Sequence, residues 1–337
     1  MGASFPEQHW YRLSALSLAL WPASLAYRLL LALRRLAYGS GVLRAARLPL
    51  PVIVVGNIVA GGTGKTPLVL WLAAMLKKNG RKPGIISRGY RGSAAAPMEV
   101  AASSAADVVG DEPLLLARRG GCPVWIGAER VRAASGLLAA HPECDVLILD
   151  DGLQHYRLAR DIEIAVEDAR GIGNGFLLPA GPLREPASRR VDAWVANTAP
   201  CGKHQPCFRM DLRGDSFRRV AAAEASAPAA AFAGKRVHAV AGIGNPQRFF
   251  DHLARLGLVT VNHAFPDHHV YTARDLDFGD CEALLMTEKD AVKCAAFARE
   301  FWYALEVEAE LAPAFSDFIL AKLNGLKTAR HPGVPDL

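Results

Sequence analysis

The feature that most constrains this chain is a glycine-rich loop between an apolar strand and a helix. Residues 51–57 are rich in β-branched side chains and predict a buried parallel strand, and residues 68–78 predict a helix. Between them lies the sequence Gly-Gly-Thr-Gly-Lys-Thr at 61–66. Such a loop lets backbone N–H groups approach phosphate oxygens, and the helix N-terminus adds positive potential. The pattern therefore predicts a nucleotide site on an α/β sheet.

The residue types in this loop suggest separate roles toward a bound nucleotide. The Lys65 ammonium would neutralise charge on the β- and γ-phosphates, and the Thr66 hydroxyl would be a ligand of Mg²⁺. Position 59, where the usual pattern has its first glycine, is a valine, so the later glycines are expected to supply the flexibility. We expect the nucleotide to be bound by Val59, Ala60, Gly61, Gly62, Thr63, Gly64, Lys65 and Thr66.

A second strand supplies the carboxylate that a P-loop needs beside its metal ion. The apolar run at 145–151 ends in Asp150 and Asp151, which we expect at the metal or at the acceptor. Further strands are predicted near 85–90 and 124–127, with helical segments between them. Alternating strands and helices predict an α/β fold with a three-layer parallel sheet.

Nucleotide binding alone does not name the reaction, because P-loops serve ATPases, GTPases and kinases. The nearest candidate for a guanine-reading N/T-K-x-D element, at 287–290, has Lys289 directly followed by Asp290, which disfavours GTP. A kinase must also take a proton from its acceptor hydroxyl, most simply with a carboxylate or a histidine–carboxylate pair. Loop segments with such residues lie at 110–113, 150–155 and 266–269.

Composition and charge exclude several classes of protein. The chain is 51% hydrophobic and 21% charged, which excludes a disordered or fibrous protein. The net charge is +6, but residues 1–50 contain six arginines and one glutamate and so account for +5 of it. A basic end on a nearly neutral body favours docking to an anionic surface over nucleic-acid binding.

The same basic end is also apolar. Its uncharged run, residues 13–27, is shorter than the roughly 20 residues that a membrane span requires. Most of the arginines follow this run, unlike the order in a secretory signal. Together with Trp21 and the arginines, the run predicts a helix that lies on a membrane surface. The alternative is a helix packed on the protein's own core.

Six cysteines without a C-x-x-C pair predict reduced thiols rather than a disulfide framework. Cys201 and Cys207 flank His204, but this group has too few ligands for a structural zinc site.

Eight motifs, in this order, resemble those of the tetraacyldisaccharide 4′-kinases, the lipid A 4′-kinases of Gram-negative bacteria. The resemblance covers about residues 10–325. The motifs are Gly61–Pro67, Ser87–Tyr90, Gly110–Pro113, Asp150–His155, Leu178–Pro186, Gly242–Pro246, Asp267–His268 and Thr287–Asp290.

The resemblance implies a reaction and a location. The reaction is phosphorylation, by ATP with Mg²⁺, of the 4′-hydroxyl of tetraacyldisaccharide 1-phosphate, which forms lipid IV-A in lipid A biosynthesis. The location is the cytoplasmic face of the inner membrane, as a peripheral enzyme whose partners are the lipid disaccharide and the membrane surface, with no obligate protein partner evident. From the P-loop alone, a kinase or ligase-like enzyme for a soluble metabolite and a nucleotide-dependent switch that recruits a partner are the competing hypotheses.

The resemblance also implies a catalytic pair. Asp111 would activate the acceptor hydroxyl, and His268 would orient it and tune its basicity, with Lys65 on the phosphates. Without the resemblance, Asp111 could equally be a helix N-cap before Pro113. His269 is the adjacent alternative to His268. Because the pair is far apart in sequence, two domains would have to close over the substrate.

The remaining site residues fall into two groups, and the sequence does not divide the carboxylates between them. Expected metal ligands are Thr66, Glu112 and Asp150. Expected substrate contacts are Arg88, Tyr90, Arg130 and Asp151, with Arg184 a weaker candidate. The sequence at 242–245 lacks the third glycine of a dinucleotide fingerprint, and we interpret it as a tight strand–helix turn facing the cleft.

We expect four segments along the chain. These are a membrane-associating segment at 1–45, a P-loop kinase core at 46–225, a smaller α/β domain at 235–325 that closes over the active site, and a tail at 326–337. The alanine-rich stretch 221–234 is the predicted connector. A final amphipathic helix at 311–323 is expected to pack back on the first domain.

Overall fold

A computed structural model describes residues 9–202, 204–222 and 225–329. Its helices are α1 (Ala15–Gly39), α2 (Lys65–Lys78), α3 (Ala106–Val109), α4 (Asp111–Gly120), α5 (Arg130–Ala140), α6 (Pro246–Arg255), α7 (Glu288–Cys294) and α8 (Pro313–Ala329). Its strands are β1 (Val52–Gly56), β2 (Pro83–Ser87), β3 (Met98–Glu99), β4 (Val124–Ile126), β5 (Val146–Asp150), β6 (Ile162–Asp168), β7 (Ala193–Asn197), β8 (Cys207–Arg213), β9 (Ser216–Arg219), β10 (Ser226–Pro228), β11 (Val237–Ala241), β12 (Thr260–Ala264), β13 (Ala283–Thr287), β14 (Trp302–Leu305) and β15 (Glu308–Leu311).

The first sheet has nine strands in the order β15-β8-β7-β6-β1-β5-β2-β4-β3, and its seven inner strands are parallel. Every residue of β1, β2, β5 and β7 is buried, because helices cover both faces. One face packs against α2, α4 and α8, and the other against α1 and α5. The predicted three-layer α/β core is confirmed, and the carboxyl ends of β1 and β5 lie side by side.

The second sheet is smaller and has the order β10-β9-β14-β13-β11-β12. Strands β14, β13, β11 and β12 are parallel, whereas β9 and β10 are antiparallel edge strands. Its core contains Phe249, Phe250 and Leu253 of α6, and a second cluster surrounds the fully buried Trp302. A second, smaller α/β unit therefore exists as expected.

The residues that form each sheet differ from those of the two predicted domains, 46–225 and 235–325. Strand β9 falls within the segment 46–225 but pairs in the second sheet, and β15 falls within 235–325 but pairs with β8 of the first. These strands are short, and the three residues of β10 and four of β15 are half-exposed or exposed, so they give no clear periodic signal. Helix α8 packs on the first core, as expected. Of the predicted tail, residues 330–337 lie outside the described residues.

Helix α1 is longer than the uncharged run that predicted it, because the helix continues past Arg28 and Arg34 to residue 39. Its length and composition are sufficient for a membrane span, which corrects the expectation that this segment is too short. This is weak evidence for crossing, since other apolar helices pass the same test. Only 17% of the 18-residue apolar window of the helix is buried, so most of its apolar residues lie outside the protein core.

The polarity of α1 is inverted relative to an ordinary surface helix. The side chains buried against the body are Ser17, Ser24 and Leu31, and the Ser24 hydroxyl donates to the carbonyl of Leu177 at 2.7 Å. The large residues on its exposed face are Leu18, Trp21, Leu25, Leu29, Leu30, Leu33 and Leu36. A helix that turns leucines outward and serines inward has an apolar surface available to lipid.

The expectation that all the cysteines are reduced is wrong for one pair. Cys201 and Cys207 form a disulfide across the connection between β7 and β8. The intervening His204 stacks on Trp194 with ring centroids 4.0 Å apart, which accounts for its position without a metal. The short connection between two paired strands brings the cysteines together, and spacing alone did not reveal that pairing.

Candidate active site

The glycine-rich loop follows β1 and ends where α2 begins at Lys65. Gly64 has a φ of 92°, and a Cβ there would lie 2.2 Å from Nδ2 of Asn197, so both conformation and space require glycine. The same Nδ2 donates a hydrogen bond of 2.8 Å to the carbonyl of Thr63. Asn197 is the last residue of β7. The loop is therefore held by another strand of the same sheet, β7, as well as by its own turn.

The side chains around Lys65 form a compact charged group. The Lys65 ammonium lies 3.4 Å from Oδ1 of Asn57 and 3.5 Å from Oδ1 of Asp151. Arg184 reaches the same two acceptors, each at 3.2 Å. Asn57 in turn donates to the carbonyl of Gly61 at 2.9 Å. Arg184, a weaker candidate from sequence, thus lies beside the loop, and Asp151 contacts both cations there.

The first part of the predicted nucleotide loop is engaged elsewhere. Val59 is buried and bridges to Leu183, and the N–H of Ala60 donates to the carbonyl of Pro182 at 2.8 Å. The Ala60 amide is therefore not directed at a phosphate in this structure. The backbone from Gly61 onward, with Lys65 and the buried Thr66, is the part that geometry supports for nucleotide contact.

Asp150 ends β5 next to the loop and is 1% exposed. Its Oδ2 accepts a hydrogen bond of 3.0 Å from the hydroxyl of Ser87, the last residue of β2, while its Oδ1 is buried with no hydrogen-bond partner among the described residues. Burial, together with the nearby charge of Glu112, raises the pKa of Asp150 to about 6. An unpartnered buried carboxylate oxygen here fits a cation ligand.

The oxygen donors at this place suit Mg²⁺ bound together with a nucleotide. No cluster of three or more His, Cys, Asp or Glu side chains within 9–202, 204–222 and 225–329 could hold a metal ion by itself. Magnesium usually takes one or two protein carboxylates and completes its shell with phosphates and water. Asp150, Glu112 and the Thr66 hydroxyl match that donor set.

The candidate catalytic pair is assembled from the two halves of the molecule. Asp111 is the first residue of α4, on the first sheet, and His268 follows β12 of the second. Nδ1 of His268 lies 2.9 Å from Oδ2 of Asp111, which is 7% exposed. His269 instead lies 3.5 Å from Asp275, so the structure brings His268 and not its neighbour to Asp111.

The environment favours the charged forms of this pair. Burial opposes ionisation of Asp111, but the hydrogen bond and charge of His268, with Lys289 nearby, outweigh it and lower the pKa of the carboxyl. The same hydrogen bond raises the pKa of His268. The exposed Tyr90 ring meets the His268 ring edge-on at 5.6 Å. Tyr90, one of the predicted substrate residues, therefore borders the pair formed by Asp111 and His268.

Lys289 is a site residue that the sequence reasoning did not single out. Its ammonium is ion-paired with Oε1 of Glu112, the neighbour of Asp111. Lys289 lowers the pKa of Glu112, and Glu112 raises the pKa of Lys289 against the opposing effect of burial. The sequence signal for Lys289 is its place in the motif at 287–290.

Two predicted substrate arginines have different surroundings. Arg130 is 4% exposed and donates to the carbonyls of Gly127 and Ala128 at 3.0 and 3.2 Å, so it supports the turn before α5. Burial and the neighbouring Arg88 lower the pKa of Arg130 to about 10. Arg88 is exposed and free to meet a solute. Of the two, the exposed Arg88 is the better placed for substrate.

Comparisons with known proteins show which family the chain resembles in sequence. The family model for tetraacyldisaccharide-1-P 4′-kinase (LpxK) matches residues 16–324. The tetraacyldisaccharide 4′-kinase of Azoarcus sp. strain BH72 is 54% identical over 323 residues, which cover 94% of each chain. That of Methylobacillus flagellatus is 50% identical over 332 residues, covering 97% of this chain and 98% of the relative.

A solved structure extends the likeness to three dimensions. The crystal structure of LpxK from Aquifex aeolicus in complex with ATP has a TM-score of 0.79 and 30% sequence identity to this chain, and covers 91% of this chain and 99% of its own. Sequence and fold agree over almost the whole length. The chain therefore belongs to the tetraacyldisaccharide-1-P 4′-kinase family.

Proposed function

We propose that this chain uses ATP and Mg²⁺ to phosphorylate the 4′-hydroxyl of tetraacyldisaccharide 1-phosphate, and that Asp111 and His268 together activate that hydroxyl. The observation that carries the mechanism is the 2.9 Å contact between these two side chains, which come from the two halves of the molecule. Family membership supports the substrate and the donor.

On the donor side, residues 61–66 are placed to hold the phosphates. Backbone N–H groups and the start of α2 would bind the phosphate oxygens, and Lys65 would neutralise charge on them. Thr66, Asp150 and Glu112 would hold Mg²⁺, which would supply positive charge to offset that of the phosphates. Arg184 adds a second cation next to Lys65.

On the acceptor side, the 4′-hydroxyl gives its proton to the Asp111 carboxylate as its oxygen attacks the γ-phosphorus. The new P–O bond forms while the bond to the ADP oxygen breaks, so the electron pair leaves with ADP. His268 holds the carboxylate in place through Oδ2. Because its supports come from two sheets, the base is complete only when both halves meet.

The substrate is a lipid, and α1 supplies the surface on which to meet it. Its outward leucines and the arginines at its end fit an apolar face against acyl chains with cations at the head groups. We propose that the enzyme binds the inner membrane peripherally through α1. Dependence on ATP favours the cytoplasmic face.

This membrane role gives a testable prediction. Replacing Leu29, Leu30 and Leu33 by Gln should weaken sedimentation with anionic phospholipid vesicles at least tenfold, since each exposed leucine would lose roughly 1.5–3 kcal/mol of apolar burial in lipid. The control replaces Val259 and Val261, exposed valines just before and within β12 of the second sheet, by Gln. Equal vesicle binding by both variants would refute a membrane face on α1.

The function itself is tested by following the γ-phosphate of ATP. Purified chain, ATP, Mg²⁺ and tetraacyldisaccharide 1-phosphate in detergent micelles should give ADP and a product with a phosphate monoester at the 4′ position, identified by phosphorus NMR. ATP turnover without a 4′ product, or transfer to a water-soluble sugar at the same rate, would contradict the proposal.

A further inference from the structure

Arg248 forms a link between the two halves that is separate from the contacts of His268 and Lys289. It lies in the first turn of α6, after the tight turn at 242–245, and the side chain of Asn245 caps that helix. Nη2 of Arg248 donates to Oδ1 of Asn197 at 3.0 Å and to the hydroxyl of Thr198 at 2.8 Å. A helix of the second sheet thus contacts the end of β7 in the first.

These contacts fix which way the Asn197 amide points. Its Oδ1 accepts from Arg248 and also from the Thr198 hydroxyl, at 3.0 Å, so the oxygen end of the amide faces two donors. The nitrogen end must then face an acceptor, and it donates to the carbonyl of Thr63 at 2.8 Å. Asn197 is 1% exposed, so its amide contacts are made with protein groups.

The contact with the loop is close. The Asn197 nitrogen occupies the space that a side chain at position 64 would need, and Gly64 is in the left-handed conformation directly before Lys65. A shift of this amide would therefore displace the carbonyl of Thr63 and the turn that aims the loop at the phosphates.

Thr198 supports the same interpretation. It has a φ of 54°, an unusual conformation for a β-branched residue, and its hydroxyl lies between Arg248 and Asn197. Strained backbone of this kind is found where surrounding contacts impose it, often at functional sites.

We propose that Arg248 and Asn197 are positioning residues for the glycine-rich loop, so that the ATP-binding geometry of the loop depends on α6 of the second sheet being docked. This inference rests on the proposed function in one respect, which is that the bound nucleotide is ATP. The proposal also assigns a role to the turn at 242–245, which leads into α6 and so places Arg248 against the end of β7.

The sharpest variant is Asn197→Asp. A carboxylate keeps the size of the amide and pairs better with Arg248, but it presents an oxygen to the Thr63 carbonyl where a donor is required. We expect the dissociation constant for MgATP to rise about tenfold or more, while the melting temperature stays equal or increases. If Asn197 had only a structural role, the substitution would weaken MgATP binding and lower the melting temperature together.

Arg248 is tested by removal and by partial replacement. Arg248→Ala should weaken MgATP binding about fivefold to tenfold, and Arg248→Lys should lie between it and the wild type, because an ammonium supplies donors without the planar fork. Arg248→Ala in an Asn197→Ala background should have no further effect. The control is Arg255→Ala, an exposed arginine of the same helix, which should bind MgATP as the wild type does.

The measurement is equilibrium binding of MgATP to the full chain, with 4′ transfer by the wild type assayed on the same preparation. Absence of 4′ transfer by the wild type would count against the proposed function, whereas unchanged MgATP affinity in the Arg248 variants would overturn this inference. If Asn197→Asp does not fold, the Arg248 series decides alone, since equal affinity of Ala, Lys and wild type refutes the link.

Discussion

Asp111→Asn should lower kcat for 4′ transfer by about 10³-fold, within the range that positioned general bases contribute. The amide keeps the size of the carboxylate and can still contact His268, but it cannot accept the proton of the 4′-hydroxyl. Binding of MgATP should stay within about twofold of the wild type, because Asp111 lies beside the acceptor and the loop at 61–66 is intact. Rapid-quench transfer assays and equilibrium nucleotide binding measure the two quantities separately.

Asp107→Asn is the matched control for this change. Asp107 lies on α3, one turn before Asp111, and its side chain is exposed. The control removes one negative charge from the same region and should leave kcat unchanged. An Asp111→Asn enzyme that retains the wild-type rate would show that another group accepts the proton.

Lys289→Met should lower kcat/KM about 10²-fold and also destabilise the protein by about 1–3 kcal/mol. Glu112 would lose its cationic partner next to Asp111 and Asp150, and a partly buried carboxylate left unpaired is costly. The two sheets would also lose one of the contacts that bring His268 to Asp111. Chemical unfolding reports the stability, and steady-state kinetics with both substrates report the catalytic effect.

A second change separates the two effects of Lys289. The double variant Glu112→Gln with Lys289→Met should recover most of the lost stability, because no unpaired charge remains, yet it should stay slow. Lys322→Met is the matched control, since Lys322 pairs with Asp192 at 2.6 Å with similar exposure but away from the loop. Equal losses of rate in the Lys322 and Lys289 variants would indicate a general stability effect.

The parts of the fold that the sequence predicted are those with local signals. The apolar strands before Gly56 and Asp150, the glycine-rich turn and the following helix each have a short-range pattern, and all lie where expected. The short edge strands β9 and β15 lack such a pattern, and only pairing with distant strands defines them.

The site was predicted less completely for the same reason. The sequence around Asp111 predicts only the start of a helix. The pairing of Asp111 with His268 was predicted from the family resemblance alone. Lys289, Asn197 and Arg248 act across the contact between the two sheets. No periodicity encodes which side chains meet there, because that depends on how two separately folded sheets dock. The disulfide between residues 201 and 207 likewise depends on a connection whose path the sequence does not show.

Whether Asp111 and His268 act as one unit is tested most directly by a double-mutant cycle on the transfer step. Single-turnover rates of 4′ transfer would be measured for the wild type, Asp111→Asn, His268→Ala and the double variant at saturating MgATP. Residues that act together show strongly non-additive effects, so the double variant should be no slower than Asp111→Asn. A double variant whose loss is the product of the two single losses, or a His268→Ala enzyme with the full rate, would contradict the shared role.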